Sequence, residues 1–168
     1  MAENRRELYF LRHADAGDPE AWGGDDDARP LSAKGVGQAE RLAAFLASVG
    51  FTPDAIVSSP KLRATQTAEL IGRALNRPVT TNDELAGGFT IDGLPSLLDT
   101  IEHGSDVRRV ILVGHDPDFS SIVATLSGAK GLRLPTCTLA RVDVEERAAP
   151  GRGSLRWLIP PDALEATS

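Results

Sequence analysis

Short apolar runs rich in β-branched and aromatic residues alternate along this chain with longer stretches whose apolar residues recur at helical spacing. That order restricts the fold to the α/β class, with βαβ units built around a mainly parallel sheet. Leu8-Tyr9-Phe10-Leu11 reads as a first strand, Ala55-Ile56-Val57 as a second and Val110-Ile111-Leu112-Val113 as a third, buried on both faces. Between the first two, Val36, Ala39, Leu42, Ala43, Leu46 and Val49 predict a helix over 33–49, capped by Ser32 and stopped by Gly50. A second helix is expected after Ser59-Pro60, with Ser59 as N-cap and Pro60 as its first residue, carrying Ala64, Ala68, Ile71 and Leu75 on one face. Residues 80–95 are rich in Asn, Asp, Gly and Pro and read as an irregular loop, followed by a helix over 95–103. Asp116-Pro117 reads as the N-cap and first turn of a helix running to Gly128, and Thr138–Val144 with Ser154–Ile159 as a closing hairpin.

With 168 residues the chain is read as one domain, 1–168, long enough to bury a core without disulfides or structural metals. The formal net charge of −6 gives no global positive field for a nucleic acid, so any anionic target is gripped locally. Cys137 is the only cysteine, which fits a reducing compartment. The N-terminal residues enter a strand at once, leaving no apolar signal segment, and no apolar run has the length of a membrane helix. A cytoplasmic protein without membrane contact is expected.

In open α/β sheets the functional site lies beyond the carboxyl ends of the strands, so the residues after each apolar run carry the argument. The first strand delivers Arg12-His13, the second Ser58-Ser59-Pro60 with Arg63 one turn into the following helix, and the third Gly114-His115. Guanidinium groups suit a tetrahedral, multiply charged phosphate, because they offer paired donors and a charge that does not titrate away. Arg12 and Arg63 fit that role. A neutral imidazole oriented through its second ring nitrogen is a competent nucleophile toward phosphorus, and His13 fits that one. His115, ahead of a helix N-terminus, is placed to donate to a phosphoryl oxygen, and Gly114 to let the backbone come close. Ser58 is expected to hydrogen-bond near the phosphate.

Leu11-Arg12-His13-Ala14, Arg29-Pro30-Leu31-Ser32 with Gly35 and Gln38-Ala39, Ser58-Ser59-Pro60 with Arg63-Ala64-Thr65-Gln66-Thr67, and Val113-Gly114-His115 together resemble the histidine phosphatase superfamily. The resemblance covers about residues 7–128 in order, and the short SixA-type phosphohistidine phosphatase branch looks most similar. It implies a phosphoglycerate mutase-like three-layer α/β/α sandwich with helices on both faces of the sheet. It also implies a metal-free reaction in which His13 becomes phosphorylated while Arg12, Arg63 and His115 complete the phosphate pocket. No cofactor is implied. Relatives that cleave phosphate esters carry an acid in the loop before the last histidine, since an alkoxide leaves poorly without a proton. Here that loop reads Asn82-Asp83-Glu84-Leu85-Ala86-Gly87-Gly88, which resembles the SixA branch, and Asp83 or Glu84 is the candidate proton donor. The expected partner is a phosphorylated protein, a phosphohistidine domain above all, or else a small phosphate ester; a phospho-ligand binding module without turnover is the alternative from outside catalysis.

Several features read more simply. His103, at an expected helix end, is a dipole partner rather than a catalyst. Asp25-Asp26-Asp27 lies in a Gly-rich stretch and lacks cation-loop spacing, so it is read as a solvated loop. No His-x-x-x-His or cysteine pair supports a metal site, and no Gly-x-Ser-x-Gly elbow surrounds Ser58 or Ser59.

Overall fold

The computed structural model describes residues 5–101, 106–145 and 147–165. One six-stranded sheet runs through it, from β1 (Arg5–Arg12), β2 (Ala55–Ser58), β3 (Val79–Thr81), β4 (Arg109–Gly114), β5 (Leu139–Glu145) and β6 (Gly153–Ile159), in the order β3-β2-β4-β1-β5-β6. The first four strands are mutually parallel, and β5 and β6 extend the sheet antiparallel. The helices are α1 (Ala33–Ser48), α2 (Leu62–Leu75), α3 (Leu94–Ile101) and α4 (Asp118–Ser127).

Alternation along the central strands divides the core in two. Leu8, Phe10, Val110 and Leu112 pack on one face with Leu94, Leu97, Phe119, Ile122 and Leu126 of α3 and α4. Tyr9, Leu11, Ile111 and Val113 pack on the other with Leu42, Leu46, Ala64, Ala68 and Ile71 of α1 and α2. Helices therefore cover both faces of the sheet, as the three-layer expectation requires.

Three local expectations need correction, and a fourth runs beyond the described residues. Val79–Thr81 is a strand, so the loop read from residue 80 begins only after Thr81. It is a short edge strand that pairs with β2 alone, and three residues are too few to show a period. The second helix starts at Leu62 with Lys61 as N-cap, not at Pro60 with Ser59. Ser59 Oγ accepts from the Lys61 N–H at 3.2 Å, which bends the chain before the helix begins. The third helix spans Leu94–Ile101; residues 102 and 103, including His103, lie outside the described residues. In the fourth, Pro117 occupies the N-cap position, while the Asp116 carboxylate accepts from the Ser120 N–H at 3.1 Å and its hydroxyl at 2.5 Å. Asp116 thus serves the first turn of α4 from one residue farther out.

Candidate active site

Strand register decides which residues meet. In the parallel pair β1–β4, Arg12 lies opposite Gly114, so His13 and His115 leave neighbouring strands at the same level. In β2–β4, Ser58 lies opposite Val113, which brings Ser59 beside His115 from the other side. The rings of His13 and His115 are 5.2 Å apart between centroids, and His115 Nε2 meets Ser59 Oγ at 2.7 Å. All three residues are buried.

His13 and His115 border a cleft of about 440 Å³ at the carboxyl ends of the strands, lined also by Arg12, Arg29, Lys61 and Arg63, by Asp15, Asp116 and Asp118, and by Ala86-Gly87-Gly88. Arg12 Nη1 donates to the Leu134 carbonyl at 2.7 Å, and Arg12 lies 4.0 Å from Asp116. Arg63 donates to the Asp26 carbonyl at 2.8 Å and to its carboxylate at 3.1 Å. The Nε atoms of Arg12 and Arg63 are buried without a hydrogen-bond partner among the described residues.

His13 Nδ1 lies 2.7 Å from the Ala14 carbonyl, which can only accept, so Nδ1 carries the proton and Nε2 keeps its lone pair. Burial pushes the His13 pKa down to about 4, against the Ala14 hydrogen bond and with help from Arg63, Arg12 and Arg29. Burial, then the nearby His13, pushes His115 down to about 3. Both rings are neutral near pH 7, and neutrality is the state a nucleophilic imidazole requires.

The motif residues explain how this arrangement is held. Thr67 Oγ1 accepts from the Ala14 N–H at 3.0 Å and donates to the Arg63 carbonyl at 2.7 Å, tying the nucleophile's loop to the arginine's helix. Gln38 Oε1 accepts from the Asp15 N–H at 2.9 Å, and Gln66 Oε1 from the Leu31 N–H at 2.8 Å. Ser32 caps α1 through the Gly35 N–H at 3.0 Å and also donates to the Asp15 carboxylate at 2.5 Å.

Arg12, His13, Arg63 and His115 therefore share one cleft, as the sequence suggested. Neither Ser58 nor Ser59 lines it: the buried Ser58 hydroxyl donates to the Ser59 carbonyl at 2.8 Å, and Ser59, equally buried, reaches the site only through its hydrogen bond to His115. Gly114 is also absent from the lining; a Cβ there would meet the Phe119 ring at 2.6 Å, so the glycine makes room for core packing. Asp83 and Glu84 are exposed in a short 3₁₀ turn capped by Asn82 and lie outside the lining, which in this loop comes from Ala86-Gly87-Gly88. Asp25-Asp26-Asp27 is exposed but engaged: Asp26 bridges Arg29 and Arg63, and Asp27 lies 3.4 Å from Lys61. Among the described residues no group of His, Cys, Asp and Glu side chains gathers to hold a metal ion.

Residues 8–87 match the model of the histidine phosphatase superfamily (branch 1). A protein of Picosynechococcus is 36% identical over 113 residues, covering 67% of each chain. The chain belongs to the histidine phosphatase superfamily. Within that superfamily it is similar to phosphohistidine phosphatase SixA of Escherichia coli, at 27% identity over 95% of this chain and 96% of the relative. It is also similar to the solved structure of the protein histidine phosphatase SixA complexed with tungstate, with a TM-score of 0.81 at 26% identity over 95% of this chain and 99% of that one. Superfamily membership makes this protein a phosphatase acting on phosphorylated substrates.

Proposed function

We propose that this phosphatase hydrolyses phosphohistidine on a protein through a phosphohistidine intermediate on His13, with no metal ion. The orientation of His13 carries the reading: Nδ1 is spent on the Ala14 carbonyl, leaving the Nε2 lone pair in a cleft lined by Arg12 and Arg63. Nε2 attacks the phosphorus in line, a P–N bond forms to His13 and the P–N bond to the substrate imidazole breaks. Water then attacks phospho-His13, the second P–N bond breaks with its electron pair returning to Nε2, and the water's oxygen and both its protons leave on the released phosphate. Arg12 and Arg63 balance the phosphoryl charge in both steps, and neutral His115 offers a ring N–H to it.

Substrate choice follows from the acids. Asp15 is hydrogen-bonded by Ser32, which holds its carboxyl below the usual range, so it stays ionised. Asp116 accepts from Ser120, and Asp118 accepts from the Phe89 N–H at 3.0 Å. These cleft carboxylates serve their own fold neighbours as acceptors. An alkoxide leaving group needs a donor. A phosphohistidine carries a proton on its other ring nitrogen and leaves as neutral imidazole without one. An open cleft, the lone Cys137 and the absence, among the described residues, of a helix able to cross a membrane fit a phosphorylated protein partner in the cytoplasm.

Incubating the protein with a phosphohistidine peptide and with p-nitrophenyl phosphate, each with and without chelator, tests the proposal. Phosphate release is expected from the peptide, unchanged by chelator, with an acid-labile label trapped on the wild type and absent from His13→Ala. Release only from the ester would shift the substrate to small phosphate esters, and release from neither would leave a binding module.

A further inference from the structure

Arg29 lines the cleft with Arg12 and Arg63 but has no part in the mechanism above. Its side chain is 8% exposed, and arginines are seldom so buried unless they are paired. The pairing here is specific. Nε donates to Asp26 Oδ1 at 3.0 Å, and Nη1 to the carbonyls of Ala16 at 2.8 Å and Gly17 at 3.3 Å. The other oxygen of the same carboxylate accepts from Arg63 Nη2 at 3.1 Å, and the Asp26 carbonyl accepts from Arg63 Nη1 at 2.8 Å.

Two guanidinium groups are thus held at the two ends of one carboxylate. Two like charges against one opposite charge leave a net positive site, and such a site is stabilised by a second anion. The exposed loop that carries Asp26 offers its carboxylate from one side, so the side left for that anion is the cleft both arginines line. We infer that Arg29 is a third phosphate-holding arginine, gripping the transferring phosphoryl group together with Arg12 and Arg63, and that Asp26 is the positioning residue that sets Arg29 beside Arg63. The inference rests on the reading of the cleft as a phosphoryl site. Arg29 is also among the charges that disfavour the His13 imidazolium, in keeping with a place close to the nucleophile.

Inorganic phosphate is the probe. In the wild-type protein, titration with phosphate followed through the arginine side-chain ¹⁵N–¹H signals should move Arg29 along the same saturation curve as the His13 ring. A silent Arg29 with a responding His13 would overturn the inference, and this measurement needs no variant to fold. In calorimetry, Arg29→Gln should bind phosphate about tenfold or more weakly, the worth of one charge-assisted hydrogen bond. Arg29→Lys should lose less. Comparison with Arg29→Lys separates loss of charge from loss of packing, since the lysine keeps the cation. Wild-type phosphate affinity in a folded Arg29→Gln protein counts against the role. Turnover of the phosphohistidine peptide is scored separately: phosphate bound through Arg29 without turnover sinks only the proposed reaction, turnover with an indifferent Arg29 sinks only this inference, and a wild type that neither binds phosphate nor turns over the peptide sinks both.

Discussion

His13 and His115 are neutral, and two features of the cleft act together to keep them so, burial and the neighbouring cations. Burial is the main cause, since a charged imidazole gives up its hydration on entering the cleft. The proton therefore does not compete with phosphorus for the His13 lone pair until the solution is strongly acidic. Imidazole Cε1–H signals of the free protein are expected to titrate with midpoints near 4 for His13 and near 3 for His115. Midpoints near the ordinary 6.5 would contradict the buried, cation-flanked geometry. Correspondingly, kcat/KM should show no loss from His13 protonation between about pH 5 and 8. Binding a phosphoryl anion must raise both values, because it favours the imidazolium forms, and so must take up protons at mildly acid pH.

At the scale of elements, Gly35, Gln38, Gln66 and Thr67 join loops to helices and lie outside the cleft lining. Gly35 sits in the first turn of α1 under the Asp15 backbone, and a Cβ there would fall 1.9 Å from the Asp15 carbonyl oxygen. That obstacle is backbone and cannot rotate away, so the loop following His13 would have to move. Gly35→Ala is expected to destabilise the fold by roughly 1–3 kcal/mol and to lower kcat, read by urea unfolding and steady-state kinetics. Thr67 links the Ala14 N–H to the Arg63 carbonyl. Thr67→Val keeps the shape and removes both bonds, leaving a buried N–H unpaired, at a cost of about 1–3 kcal/mol. Thr67→Ser should restore most of both stability and kcat; failure of that rescue would mean that the methyl group, not the hydroxyl, matters.

For the whole molecule, neutral buried histidines make folding pH-dependent. The folded His13 pKa of about 4 lies below the ordinary 6.5, so between those values the unfolded chain binds more protons than the native one. Stability therefore falls as pH drops from about 6.5 to about 4 and, on this account, levels off below; His13 alone contributes a loss on the order of 3 kcal/mol. His13→Asn, which cannot titrate, should flatten that part of the profile in urea unfolding at about pH 6.5 and 4.5. An unchanged slope would place the proton uptake elsewhere. At the opposite ends of the strands the charges neutralise one another: Glu7 pairs with Arg109 and with Arg141, both at 3.1 Å, and Asp143 pairs with Arg5. The cations of the functional cleft are set instead around an opening where an anion can enter.

The apolar runs and their spacing determined the α/β class, the central strands, the hairpin and the positions of the helices, because burial of alternate or every third to fourth residue is written in local sequence. The convergence of Arg12, His13, Arg63 and His115 was legible for the same reason: each follows the end of a recognisable strand, and ligands gather at those ends. Side-chain direction was not legible. Ser58 and Ser59 are adjacent, but only the pairing of β2 with β4 decides that Ser59 meets His115 while Ser58 turns into the core. Gly114 depends on Phe119 packing across it, a contact between a strand and a helix that no local pattern announces. Asp26 reads as one solvated charge among three until the fold lays its loop beside Arg29 and Arg63, since an ion pair between residues 37 positions apart exists only after the chain has closed.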